Sequence, residues 1–193
     1  FEANLGSGSF GVAFLLENES VVKFTTDTTE IVAASTIQGK DFMNVAKIYK
    51  VFATAKKFLN FSRRKVSLGV IFQEYVPNGL TDQNAYMLSI TTNMVKDKNK
   101  IHSITPNASK LVKASYELED LLVSLGRTEG PVFSHVANGI GELRDAGVIY
   151  ADVHGGNVRL SDEGIPKIID IGYSITAEGK QDPIRINRPR RNR

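Results

Sequence analysis

The 193-residue sequence predicts an α+β fold in two lobes. A β-rich N-terminal lobe covers residues 1–76, a reduced and mainly helical C-terminal lobe covers 77–184, and a basic tail covers 185–193. Three observations carry this. Apolar residues alternate with period two from Leu5 to Phe24, two stretches of helical periodicity follow later in the chain, and a strand–loop–strand–turn–strand pattern closes the informative part at 148–174.

From Leu5 to Phe24, Val12, Phe14 and Leu16 alternate with smaller residues. Glu17-Asn18-Glu19-Ser20 then turns the chain into Val21-Val22-Lys23-Phe24, which predicts antiparallel strands. Asp27 to Ile37 reads as a helix capped by Thr28 or Thr29, with Ile31, Val32, Ala34, Ser35 and Ile37 on its apolar side and Gly39 as its stop. Val45–Phe52 and Val66–Val76 are two further strands, joined by a loop carrying Lys56, Lys57, Arg63, Arg64 and Lys65. Residues 78–108 are polar and read as irregular. Leu111, Val112, Ser115, Leu118, Leu122 and Leu125 recur at helical spacing, with Gly126 as the expected end. Pro131 opens a second helix through Phe133, Val136, Ala137, Ile140 and Leu143 to a stop at Gly147. Val158–Leu160 and Ile165–Ile169 are short strands about the turn Ser161-Asp162-Glu163-Gly164.

Composition sets the outer limits. With 41% hydrophobic and 23% charged residues, the chain has the balance of a globular core rather than of a disordered segment. It has no cysteine, hence no disulfide, no thiolate metal site and no cysteine nucleophile, which suits a reducing, cytoplasmic setting. No apolar run approaches the ~20 residues that span a bilayer, so a soluble protein without membrane association is expected. Starting at Phe1 with no signal-peptide pattern, the sequence reads as a fragment, a processed form or the ordered part of something longer. The net charge of +3 belongs to the tail, where Arg185, Arg188, Arg190, Arg191 and Arg193 crowd the last nine positions. Such a tail is either a solvated terminus or a salt-sensitive contact for an acidic partner or for nucleic-acid phosphates.

Chemistry enters with three groups of residues. Gly6, Gly8 and Gly11, followed by Val12, form a glycine-rich pattern in which backbone N–H groups approach phosphate oxygens unobstructed by Cβ atoms. A strand and a reverse turn follow these glycines, where a dinucleotide-binding unit requires a helix, so the loop reads as a flap between strands. Lys23 stands on the strand that pairs back onto this flap. Among apolar neighbours its ammonium requires a carboxylate or phosphate partner, and Glu30 is the nearest candidate. Asp152 and Asn157 have the D-x-x-x-x-N spacing that offers a carboxylate to a hydroxyl and an amide oxygen to a metal ion. Asp170, thirteen residues beyond Asn157, adds a second hard oxygen ligand suited to magnesium on nucleotide phosphates. Any one of these alone is an ordinary turn or strand end; the ordered set is what points to chemistry.

In that order the chain resembles the protein-kinase-like fold. The glycine loop, Lys23, the helix glutamate Glu30, a hinge at Gln73-Glu74-Tyr75-Val76, a catalytic loop from Asp152 to Asn157 and a DFG-like Asp170-Ile171-Gly172 span Leu5 to about Ser174. The resemblance implies that Lys23 holds the α- and β-phosphates of ATP and that Asp152 orients or deprotonates the acceptor hydroxyl. Asn157 and Asp170 would bind Mg2+, the backbone of Glu74 and Val76 would bind adenine, and Gln73 would guard the rear of the pocket. The activity implied is transfer of the γ-phosphate of Mg-ATP to a hydroxyl, with a protein Ser or Thr as the expected substrate.

The departures point elsewhere. Tyr150-Ala151 replaces the usual His-Arg before the catalytic aspartate, removing the receiver for a phosphorylated activation loop. Asp152-Val153-His154 resembles the loop of aminoglycoside and choline phosphotransferases, with His154 in place of lysine beside the γ-phosphate. His102, His135 and His154 are too scattered to predict zinc. Only 21 residues follow Gly172, so the C-terminal lobe is expected to hold little more than two helices and the loop. A small-molecule kinase and a non-catalytic nucleotide-binding (pseudokinase) or scaffold module are therefore the alternatives.

Overall fold

A computed structural model describes residues 2–8, 10–54, 58–59, 65–101 and 107–176, with 58, 59 and 65 described by backbone alone. Among the described residues the chain is a mixed α+β structure with a five-stranded antiparallel sheet, four helices and three two-stranded pairings. The arginine tail and most of the basic loop at 56–65 lie outside the described residues. Among the described residues no helix is long and apolar enough to cross a membrane.

The alternating N-terminal pattern folds as β1 (Ala3–Ser7), β2 (Gly11–Leu15) and β3 (Ser20–Thr25). They pair in sequence, and β7 (Gly69–Glu74) and β4 (Ile48–Ala53) complete the order β1-β2-β3-β7-β4. A Cβ on Gly11 would stand 2.1 Å from the Phe24 carbonyl oxygen, so only glycine permits β2 to approach β3 here. The basic loop expected between two strands contains the minor pairing of β5 (Phe58–Leu59) with β6 (Lys65–Val66), which takes Val66 from the start of the expected second strand, so that β7 begins at Gly69.

Helix α1 (Thr28–Ile37) lies where expected, but its cap is Asp27 rather than Thr28 or Thr29. The Asp27 carboxylate accepts the Thr29 N–H at 2.8 Å, and a carboxylate also suits the positive helix N-terminus. Ile31, Ala33, Ala34 and Ile37 are buried against the sheet.

The largest correction falls on residues 78–108. Instead of an irregular segment, a seventeen-residue helix, α2 (Asp82–Lys98), runs through it, capped by Thr81. Its buried face is Leu88, Thr91, Thr92 and Val95, spaced as a helix requires but half hydroxylated. Ser89 and Thr91 satisfy their hydroxyls on the carbonyls of Ala85 and Met87, both at 2.8 Å, which lets polar residues occupy a helix interior. The helical part therefore contains three helices among the described residues, not two.

Helix α3 (Ala108–Thr128) does not end at Gly126. That glycine lies inside the helix, where a Cβ would collide with Ser134 at 1.8 Å from its Oγ, so it marks the close crossing with α4 (Pro131–Asp145) rather than a terminus. Pro131 opens α4 as expected, and Gly147 follows its end at φ 91°.

Beyond α4, β8 (Val148–Ile149) pairs antiparallel with β11 (Ile175–Thr176), and β9 (Val158–Leu160) with β10 (Pro166–Ile168). The sheet and the helices share one hydrophobic cluster running from Ile31, Val51 and Ile71 through Leu88, Leu118 and Ile140 to Tyr150 and Val153. Backbone bonds fasten the C-terminal hairpin to the segment before β4, with Ala46 N–H to the Ile168 carbonyl and Ile168 N–H to the Asn44 carbonyl, both 2.9 Å.

Candidate functional site

A cleft of about 510 Å³ opens between the sheet and the helical part. Its walls gather residues from the whole length of the chain, each positioned by a local feature already described.

On β3, Lys23 pairs in register with Ala13 on one side and Ile71 on the other, in the middle of the sheet. Its ammonium lies 2.5 Å from Glu30 Oε1 and 2.6 Å from Asp170 Oδ2. Glu30 stands in the first turn of α1 and is 3% exposed. Burial and the neighbouring Asp170 charge push its carboxyl up to about 7 against the opposing pull of Lys23. Burial also acts to raise Asp170, but Lys23 and the Gly172 N–H outweigh it and hold that carboxyl below the usual range. Lys23 is held above its ordinary value because the two carboxylates more than offset its desolvation. The ammonium is thus the shared cation of two acids.

The β9–β10 hairpin explains why Asn157 and Asp170 meet. Val158 pairs with Ile168, and the Ile169 N–H donates to the Asn157 carbonyl at 2.9 Å, so the residues just outside the paired segment stand side by side. Asn157 Nδ2 donates to the Asp152 carbonyl at 2.9 Å and to the Tyr150 hydroxyl at 3.3 Å. Both amide hydrogens are committed, leaving Oδ1 as the atom this side chain can offer a cation. Asp170 Oδ1 accepts the Gly172 N–H at 2.9 Å, which fixes the carboxylate plane. Among the described residues no cluster of three or more His, Asp or Glu is assembled for an ion. One carboxylate and one amide oxygen form an incomplete shell, too few donors for a protein-only cage.

Asp152 and His154 complete this wall. The Asp152 backbone is gripped by the Tyr150 hydroxyl, 2.8 Å from its carbonyl, and Tyr150 is fully buried. Burial and the Asp152 and Asp170 charges raise the phenol well above its ordinary value, keeping it a donor. His154 Nδ1 accepts the Gly156 N–H at 3.1 Å, so in the neutral ring the proton sits on Nε2.

Gly6, Gly8, Gly11 and Val12 line the cleft from above, as does Gln73 from behind. Gln73 Nε2 donates to the Ile169 carbonyl at 3.1 Å, joining the sheet to the segment before Asp170. Two flap amides are spent within the flap, Gly6 N–H on Asn4 Oδ1 and Gly8 N–H on the Gly11 carbonyl, both 2.9 Å. Glu74 and Val76 are not brought to the cleft. The Glu74 N–H donates to the Lys47 carbonyl and its carboxylate takes Lys167 at 2.5 Å, while the buried Val76 gives its carbonyl to Arg159 at 2.7 Å.

Four participants escape the sequence reading. Tyr150, from the sequence a departure from the usual loop, organises the loop through its hydroxyl. Asp27 and Tyr173 line the cleft and meet each other, the Tyr173 N–H donating to Asp27 Oδ2 at 3.3 Å. Lys96, on α2, places its ammonium 2.7 Å from Asp152 Oδ1. The helical spacing of Leu88, Thr91, Thr92 and Val95 was the available signal for α2, and α2 is what brings Lys96 to the loop.

Four carboxylates, those of Asp27, Glu30, Asp152 and Asp170, thus face the cleft against the Lys23 ammonium. A polyphosphate enters such a field only with cations of its own. Compared with known proteins, the chain matches no family model and no curated protein.

Proposed function

We propose that this chain is an ATP-dependent phosphotransferase, built as a two-lobed kinase-like fold over residues 1–76 and 77–184, that moves the γ-phosphate of Mg-ATP to a hydroxyl. The observation that carries this reading is the convergence of Lys23, Glu30, Asp152, Asn157 and Asp170, 147 residues apart at the extremes, on one cleft beneath a glycine flap. Bound Mg2+ supplies neutralisation of the phosphate charge in a cleft rich in carboxylates, and Asp170 with Asn157 Oδ1 would hold it. Lys23 binds phosphate oxygens while Glu30 keeps its ammonium in place. Asp152 orients the acceptor hydroxyl and takes its proton as that oxygen bonds to the γ-phosphorus and the bridge to ADP breaks. His154, which also lines the cleft, can offer a hydrogen bond from Nε2. Catalysis of this kind rests on positioning and electrostatics.

The expected acceptor is a protein Ser or Thr. A small-molecule hydroxyl is the second reading, favoured by His154 at the loop position where protein kinases carry lysine. Incubation with labelled ATP and Mg2+, with and without aminoglycosides, choline and sugars, separates the two: protein labelling supports the first, acceptor-stimulated turnover without labelling the second. Loss of transfer in Lys23→Ala and Asp170→Asn is expected, and full activity in both variants rejects the roles assigned here.

A further inference from the structure

Helix α2 runs alongside the catalytic loop and contacts it with a single stripe. Ala85 abuts Gly155, where an added Cβ would stand 2.5 Å from the Ala85 Cβ. Ser89 Oγ receives the Gly155 N–H at 3.4 Å, the Thr92 hydroxyl donates to the Val153 carbonyl, and Lys96 reaches Asp152. Positions 85, 89, 92 and 96 recur at helical spacing, so one face of α2 follows the loop backward from Gly155 to Asp152. Lys96 is the one charged member of that stripe. Its side chain and that of Asp152 are 22% and 23% exposed, and its ammonium also lies 4.8 Å from the Tyr173 ring centroid. Asp152 and Tyr173 line the cleft, and Lys96 stands behind them.

We infer that Lys96 is the positioning residue of Asp152, a cation delivered from a neighbouring helix to a loop whose own third position is His154. The inference rests on the phosphotransfer reading. A carboxylate on a free rotamer presents either oxygen in any direction. Lys96 binds Oδ1 while Tyr150 and Asn157 hold the same residue's carbonyl, so backbone and carboxylate are both tethered and Oδ2 is the oxygen left for an acceptor. The ring of Tyr173 on the other side of the ammonium limits its swing.

The test is a kinetic series on the full chain with Mg-ATP and the acceptor that wild type labels, including itself. Lys96→Met is expected to lower kcat about tenfold to a hundredfold, the scale of a misplaced catalytic group, with KM for ATP unchanged within about twofold. Lys96→Arg, which retains the charge and the reach, recovers most of the rate. Lys96→Met combined with Asp152→Asn is no slower than Asp152→Asn alone, because the lysine acts through that carboxylate. Wild-type kcat in Lys96→Met, equal losses in the Met and Arg variants, or additive losses in the double variant overturns the inference while Lys23-dependent transfer leaves the phosphotransfer reading standing. Absence of transfer by the wild type to any acceptor overturns both.

Discussion

Lys23 and Asp170, 147 positions apart, form an ion pair at 2.6 Å that ties the middle of the sheet to the segment after the last hairpin. Because the same ammonium serves Glu30 at 2.5 Å, removing it leaves two carboxylates facing each other. Lys23→Met is expected to cost about 2 kcal/mol of folding stability, less than the ~3–5 kcal/mol for breaking a fully buried pair because Asp170 is partly hydrated. Chemical denaturation checks the stability, and nucleotide titration is expected to show weakened ATP binding.

Glu30 gives the site a pH signature. Its folded-state value near 7 lies above the unfolded value of 4.5, so between these the folded protein binds the extra proton and stability falls as pH rises, by at most about 1.4 kcal/mol per unit. Asp170 works in the opposite sense: its contribution is present above the unfolded value of 3.8 and lost as pH falls through its lower folded value. Glu30→Gln is expected to flatten the stability profile between pH 5 and 7, measured as melting temperature against pH. An unchanged slope removes Glu30 as its source.

The glycine flap separates steric from functional roles. Gly11→Ala drives a methyl into the Phe24 carbonyl and is expected to cost about 1–3 kcal/mol and to loosen the β2–β3 pairing. Gly8→Ala meets nothing within 4 Å and is expected to leave stability within about 0.5 kcal/mol. Thermal unfolding of the two variants side by side checks the contrast.

Tyr150→Phe deletes the hydroxyl that meets both Asp152 and Asn157. A stability loss of about 1–2 kcal/mol is expected for the missing bonds, together with a fall in kcat as the loop slackens. Loss of stability without any change in kcat confines Tyr150 to the core.

On the phosphotransfer proposed above, Asn157→Ala is expected to raise the Mg2+ concentration required for half-maximal transfer about tenfold, since Asn157 Oδ1 is one of the two protein oxygens proposed to hold the ion. Magnesium titration at saturating ATP reads this directly, and chelation is expected to abolish turnover in the wild type.

The polar constellation was legible because its members sit at local landmarks: Lys23 inside an alternating strand, Asn157 and Asp170 flanking a short hairpin. Lys96 carried no such mark. Its role depends on the register of α2 against a loop 56 residues away, a tertiary property, and α2 itself was obscured by the hydroxyls of Thr91 and Thr92 on its inner face. The shift of the α1 cap to Asp27 has a similar cause, since two threonines beside an aspartate are all competent caps and only the turn after β3 selects among them. Glu74 and Val76 fall outside the cleft lining, with the Glu74 N–H and carboxylate and the Val76 carbonyl bonded to Lys47, Lys167 and Arg159.

The pairing of Ile175 with Ile149 and of Thr176 with Val148 closes residues 150–174 into a loop stitched at its base. With Tyr173 also moored to Asp27, the stretch after Gly172 has little slack to swing away, so a covalent mark placed there would find a latch already shut.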